Sequence, residues 1–156
     1  MPEDELAVNP ALEEARRRRA DLHAALITVE KVISGPAFGR ENDWSKEVLL
    51  SLENLGRAID EHIEVTERAS GLYEEVTRRA PHLSPKIERL AEEHPAMRDE
   101  TAAMRERLRA TPIGDAWPLE QARNDLQRLL GKVVKHRQLG ADLVWEAYNL
   151  DIGGIE

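Results

Sequence analysis

The segment Ile59-Asp60-Glu61-His62-Ile63-Glu64-Val65-Thr66-Glu67-Arg68-Ala69 decides the fold. Reading outward from it, Val48, Leu52, Leu55, Ile59, His62, Thr66, Ala69, Tyr73 and Val76 recur at alternating spacings of three and four. That is one stripe of a helix facing a partner. His62 stands mid-stripe, where a packed helix normally places Leu or Ile. Two further segments repeat the arrangement. One runs Ile87, Leu90, His94, Met97, Thr101, Met104, Leu108, and the other Leu126, Leu129, Val133, His136, Gly140, Leu143.

The bulk composition agrees with helices in water. Of 156 residues, 41% are apolar, 33% charged and 4% aromatic, with few β-branched runs. That length suits one domain with a real core. A net charge of -8 and the absence of any basic tail argue against nucleic acid or an anionic membrane as a partner. No apolar run approaches the ~20 residues of a membrane span, and Met1-Pro2-Glu3-Asp4-Glu5 is unlike a signal peptide, so a cytoplasmic location is expected. Without cysteine there is no disulfide, thiolate zinc site, iron–sulfur cluster or covalently attached haem.

Residues 1–9 read as a flexible acidic arm and residues 10–156 as the domain. Asn9-Pro10 is a helix start, a capping side chain followed by proline at the first turn. The first helix runs to about Ile33 on the stripe Leu12, Ala15, Arg19, Leu22, Leu26, Val29, Ile33, with His23 just beside it. Arg16-Arg17-Arg18-Arg19 follows Glu13-Glu14 and reads as a solvated face with ion pairs one turn apart rather than an anion site. Gly35-Pro36 opens a connector, and the second helix starts near Asp43 or Trp44. Ser70-Gly71 softens or bends it, and Pro81 stops it. Ser84-Pro85 starts the third helix, which runs to about Ala110 with Pro95 inside it, predicting a distortion at His94. Pro118 opens the fourth, which ends near Leu150. Short connectors demand antiparallel neighbours, so the expected fold is all-α, an antiparallel up-down-up-down four-helix bundle.

At ~1.5 Å per residue the histidines can be compared in height. His62 and His136 each lie about 18 residues, and His94 about 16, from the same end, one layer within ~3–4 Å. His23 counts about 11 residues from that end, ~10 Å away, an offset that a long connector can absorb. His82 falls in a loop and is expected to be exposed. A lone core histidine is usually structural. Several at one height share a cost, because each unpaired buried ring nitrogen is unfavourable and a metal offers the lone pairs a common acceptor. Nitrogen donors suit iron, zinc, copper or nickel.

One histidine per helix in the order His23, His62, His94, His136, with Asp60-Glu61-His62, Glu92-Glu93-His94 and the segment from His136 to Gly154, resembles the hemerythrin-like (HHE cation-binding) domain over residues 10–154. The resemblance implies a hemerythrin-like bundle with a non-haem di-iron centre, binding dioxygen, responding to nitric oxide, or storing or sensing iron. It also implies bridging carboxylates, but those positions hold Thr66 on the second helix and Gly140 or Ala141 on the fourth. Arg98 stands where some members carry a further histidine. Glu67, five residues after His62, is the nearest substitute ligand, although it is turned ~140° around the helix. Glu61 and Glu93 adjoin histidines and can act as outer acceptors.

The expected metal ligands are therefore His23, His62, His94, His136 and Glu67, holding iron as one ion or two, or zinc. The alternative is a metal-free bundle serving as a scaffold or interaction module. Enzyme motifs are missing: there is no Gly-rich phosphate loop, nucleophile elbow or His-Glu-x-x-His pair. Both a monomer and a homodimer suit the chain. Trp44 and Trp117 are expected to cap the core at one end, and Trp145 and Tyr148 to close the other or face a partner chain.

Overall fold

The computed structural model describes residues 9–150, and these form helices with no strand among them. The helices are α1 (Pro10–Ile33), α2 (Glu41–Glu67), the short α3 (Leu72–Arg79), α4 (Ser84–Ala110) and α5 (Leu119–Trp145). A single 3-10 turn, Pro81–Leu83, leads into α4, and α5 widens into a π turn at Glu146–Leu150. Residues 1–8 of the expected acidic arm, and the expected helix stop after Leu150, lie outside the described residues.

Local chemistry accounts for the boundaries. Asn9 caps α1, its side-chain oxygen accepting from the Leu12 N–H at 3.0 Å, and Pro10 fills the first turn. Asn9 thus belongs to the folded unit, and its amide also donates to Glu75 Oε1 at 3.0 Å. α2 starts two or three residues earlier than expected, with Glu41 and Asp43 placing negative charge in its first turn. Pro95 is accommodated inside α4. Having no N–H, it leaves the Ala91 carbonyl without its usual helical donor.

The second expected helix is two helices. α2 stops at Glu67, and Ser70 adopts a left-handed backbone, φ 62°. At Gly71 a Cβ would come within 2.6 Å of the Val65 carbonyl and 2.8 Å of that of Arg68, so the chain turns where only glycine fits. Ala69, read as part of the buried stripe, is exposed as a result, whereas Tyr73 and Val76 on α3 remain buried.

The four long helices close a ring of contacts: α1 with α2 and α5, and α4 with α2 and α5. Their buried side chains form two apolar clusters. One joins Leu22–Ile33 of α1 to Val48–Ile63 of α2, Met97 and Leu108 of α4, and Ala122–Val133 of α5. Its far end is closed by fully buried Trp44 and Trp117. Their indole N–H groups donate to the Val32 carbonyl (3.0 Å) and to Asp125 Oδ2 (2.9 Å). The other cluster gathers Leu12, Ala15, α3, Leu83, Ile87, Leu90, Leu143, Val144, Ala147 and Tyr148. Tyr148 is buried there, while Trp145 is 53% exposed.

Between the clusters lies a polar layer. Along α1 it falls at Arg19, along α2 at His62 and Thr66, along α4 at His94 and along α5 at His136. Each fully buried large apolar side chain stabilises by ~1.5–3 kcal/mol, a gain given up wherever an imidazole stands instead. Five positions on four helices make up this layer, and it sits at mid-core.

Candidate metal centre

His62, His94 and His136 come together as the height comparison requires. All three are buried, at 7%, 1% and 2% exposure. His62 Nε2 lies 3.1 Å from His136 Nε2, and His94 Nε2 lies 3.2 Å from the same atom. A tetrahedral ion with ~2.0–2.1 Å bonds to nitrogen sets neighbouring donors ~3.3 Å apart. The ring planes meet at 83°, 86° and 62°, edge to face instead of stacked, with one donor nitrogen of each ring within 4.8 Å of the other two. Among the described residues these three form the group of His, Asp and Glu side chains with donor atoms close enough to share an ion.

The outer nitrogens of two rings are held by carboxylates. His94 Nδ1–H donates to Glu67 Oε2 at 2.5 Å, and His136 Nδ1–H to Glu93 Oε1 at 2.7 Å. A carboxylate only accepts, so these contacts fix the protons on Nδ1 and turn the Nε2 lone pairs inward. This is the arrangement by which outer carboxylates orient metal-binding imidazoles and raise their basicity.

Protonation does not offer the rings an easy substitute for a metal. Burial pushes His62 down to about 3, helped by His136, His94 and the Arg19 guanidinium. Burial also lowers His94, against the opposing pull of its Glu67 hydrogen bond. A neutral His62 has one N–H to give. If Nε2 carries it, it serves His136 Nε2, and the Tyr73 hydroxyl can donate to His94 Nε2, which leaves His62 itself with the unmet nitrogen. Nδ1 of His62 is buried without a partner in either tautomer. Leaving such groups unpaired costs ~1–3 kcal/mol each.

Tyr73 and Thr66 complete the surroundings. The buried Tyr73 hydroxyl lies 3.2 Å from His94 Nε2, and its ring stacks on that imidazole at 5.8 Å. Burial raises the Tyr73 pKa, opposed by the neighbouring Thr66 hydroxyl. Thr66 is buried and donates back to the carbonyls of His62 (2.8 Å) and Ile63 (3.1 Å). A groove of about 500 Å³, lined by Asp60, Ile63, Glu67, His94, Pro95 and Arg98 among others, reaches the cluster between α2 and α4.

His23 does not join the other three. It is exposed on α1, beside an apolar groove with Ile27 and Val134. The reason is angular: Leu22 holds the stripe position, and the next residue is rotated ~100° out of the core. Its place in the layer is taken by Arg19, half-buried and near enough to His62 to repel its proton. The other arginines of that run behave as a solvated face, Arg17 and Arg18 pairing with Glu14 at 2.6 and 3.4 Å. Glu67 is near the site but on the outer nitrogen of His94, with its side chain 42% exposed. It orients a histidine of another helix, and the break after it explains how a side chain turned away from His62 finds one. Glu61 instead faces Arg18 at the surface, at 3.3 Å. Tyr73 and Arg19 were visible in the sequence only as stripe residues. His82 is exposed, as expected.

A carboxylate-bridged pair of irons does not fit these residues. Two adjacent cations in a low-dielectric core need anionic bridges. Thr66 has none to give, Gly140 faces open space, and Glu67 and Glu93 are engaged on outer nitrogens. No family model, curated protein or solved structure matches the chain.

Proposed function

We propose that this chain binds one divalent transition-metal ion through His62, His94 and His136 and acts in metal or small-ligand binding or sensing. The observation that carries this reading is the inward convergence of three Nε2 atoms while Glu67 and Glu93 hold the Nδ1 protons of two rings. When bound, the ion would supply a common acceptor for lone pairs that otherwise oppose one another, and an electrophilic centre for a small donor such as dioxygen or nitric oxide. His62, His94 and His136 would hold it. Glu67 and Glu93 would keep the rings in register and keep protons off the inner nitrogens. Iron is the metal we favour, because the resemblance to the hemerythrin-like domain points to it. Three imidazoles alone suit zinc or copper as well.

We infer for the fold an antiparallel up-down-up-down bundle of hemerythrin-like type. The ring of contacts and the short connectors between α1 and α2 and between α4 and α5 support it.

The test is metal content. Protein produced with iron and with zinc is expected to carry about one ion per chain, lost in His62→Ala and His136→Ala. Metal-free protein after both supplementations would end this reading. A second reading, a metal-free bundle acting as a scaffold or interaction module, is favoured by one observation: the half-buried Arg19 cation beside His62, which opposes a dication. It requires a melting temperature indifferent to chelator.

A further inference from the structure

Three imidazoles leave a fourth position on a tetrahedral ion, and a phenol oxygen lies within reach of their donor atoms. The Tyr73 hydroxyl sits 3.2 Å from His94 Nε2, the same atom that lies 3.2 Å from His136 Nε2. The two separations match each other and the ~3.3 Å edge expected between donors on one small ion. The hydroxyl arrives beside Thr66, which stands in place of a carboxylate and turns its own hydroxyl back onto the His62 and Ile63 carbonyls. Its approach is fixed from behind by the turn at Ser70 and Gly71, which makes α3 a separate helix and aims Tyr73 at His94. The side chain is 8% exposed, and its ring packs in the apolar cluster of α3, Leu83 and Ile87. An oxygen brought beside buried nitrogen donors by a turn between two helices has a position to fill.

We propose that the Tyr73 oxygen is the fourth ligand of the ion, giving a three-nitrogen, one-oxygen site closed by the protein itself. The proposal rests on the three-histidine reading and narrows it. A hard oxygen donor shifts preference toward ferric and cupric ions and away from cuprous ion. An outside molecule then reaches the metal only by displacing Tyr73 or by adding a fifth ligand from the groove beside Glu67.

The probes are cupric ion, which tops the divalent affinity order, and ferric ion, each added to the purified full chain and to Tyr73→Phe. The wild type is expected to develop a visible phenolate-to-metal charge-transfer band, with phenolate ring modes enhanced in its resonance Raman spectrum. Tyr73→Phe is expected to keep one cupric ion per chain, at roughly tenfold or more lower affinity, and to lose the band. A wild type that binds one ion with no phenolate modes would overturn the fourth-ligand assignment and leave the three histidines standing. A wild type that binds neither ion would overturn both. The Raman measurement needs only the wild type, so poor folding of Tyr73→Phe does not blunt the test.

Discussion

His94 and His136 point their Nε2 atoms at each other across 3.2 Å while each gives its Nδ1 proton to a glutamate of another helix. Glu67 of α2 serves α4, and Glu93 of α4 serves α5, so the orienting groups also tie three helices together. Removing one acceptor should loosen a ring without emptying the core. For Glu67→Gln and Glu93→Gln we expect metal affinity to fall ~10–100-fold, the usual cost of losing such an outer partner. Competition titration against a chelator of known affinity measures it. Unchanged affinity in both variants would mean that the carboxylates only decorate the surface.

Binding to the folded chain alone must raise its stability. At free ion 100-fold above Kd the gain is ~2.7 kcal/mol. For a chain of this size that corresponds to a rise in Tm of about 5–10 °C. Calorimetry with and without chelator reads it directly. His136→Ala should abolish the difference, although the vacated space will lower the baseline Tm of that variant.

The metal-free protein should weaken in acid. His62 is held down to about 3 by burial, so it stays neutral in the folded chain where an unfolded chain has already taken up a proton. Its contribution is full above the unfolded value of ~6.5 and is lost as pH falls from there toward 3. The slope approaches ~1.4 kcal/mol per pH unit for this one group, and His94, lowered by the same cause, adds to it. Urea melts from pH 7.5 to 4.5 measure the slope. His62→Leu should flatten it, and a wild-type stability level across that window would contradict the neutral, buried assignment.

The turn between α2 and α3 invites a pair of substitutions with opposite outcomes. Gly71→Ala sets a methyl against the backbone carbonyls of Val65 and Arg68, which cannot swing aside. A loss of about 1–3 kcal/mol is expected, together with weaker metal binding as Tyr73 shifts. Ser70→Gly relieves a left-handed residue and should be neutral or stabilising by up to ~1 kcal/mol. Denaturant melts of the two variants check the signs.

How much of this was legible in the sequence follows from which quantity each feature depends on. The histidine layer was legible because helical rise is constant: residue counts to His62, His94 and His136 translate directly into height. Whether His23 belonged to the layer depended on angle, and one residue of phase moved it from core to surface and left the position to Arg19. Ser70-Gly71 marked a bend in the second helix, but a full break there depended on a left-handed Ser70, which stripe spacing does not encode. Tyr73 at the centre follows from that break and was out of reach as a site residue until it was seen, whereas Glu67, expected as a metal ligand, instead accepts from the outer nitrogen of His94. The glutamate beside His94 was anticipated as an outer acceptor, but for its neighbour in sequence rather than for His136, because the side of a helix tells which neighbour is faced only once the neighbours are placed.

Arg19 gives the sharpest separation between a site built for a cation and a core that merely tolerates imidazoles. Its guanidinium is half-buried, its charge disfavoured by burial and by Arg137 and Arg16, and it depresses protonation of His62. The same field acts on any dication held by His62. Arg19→Met keeps the aliphatic packing and removes the charge. If a metal sits among the three rings, the variant should bind it a few-fold more tightly at low salt, with the gain shrinking as salt screens the more exposed part of the field. His62 should also titrate higher in the metal-free variant, visible as a shifted imidazole resonance. Should the resonance move and the metal affinity not, the ion lies elsewhere than beside His62.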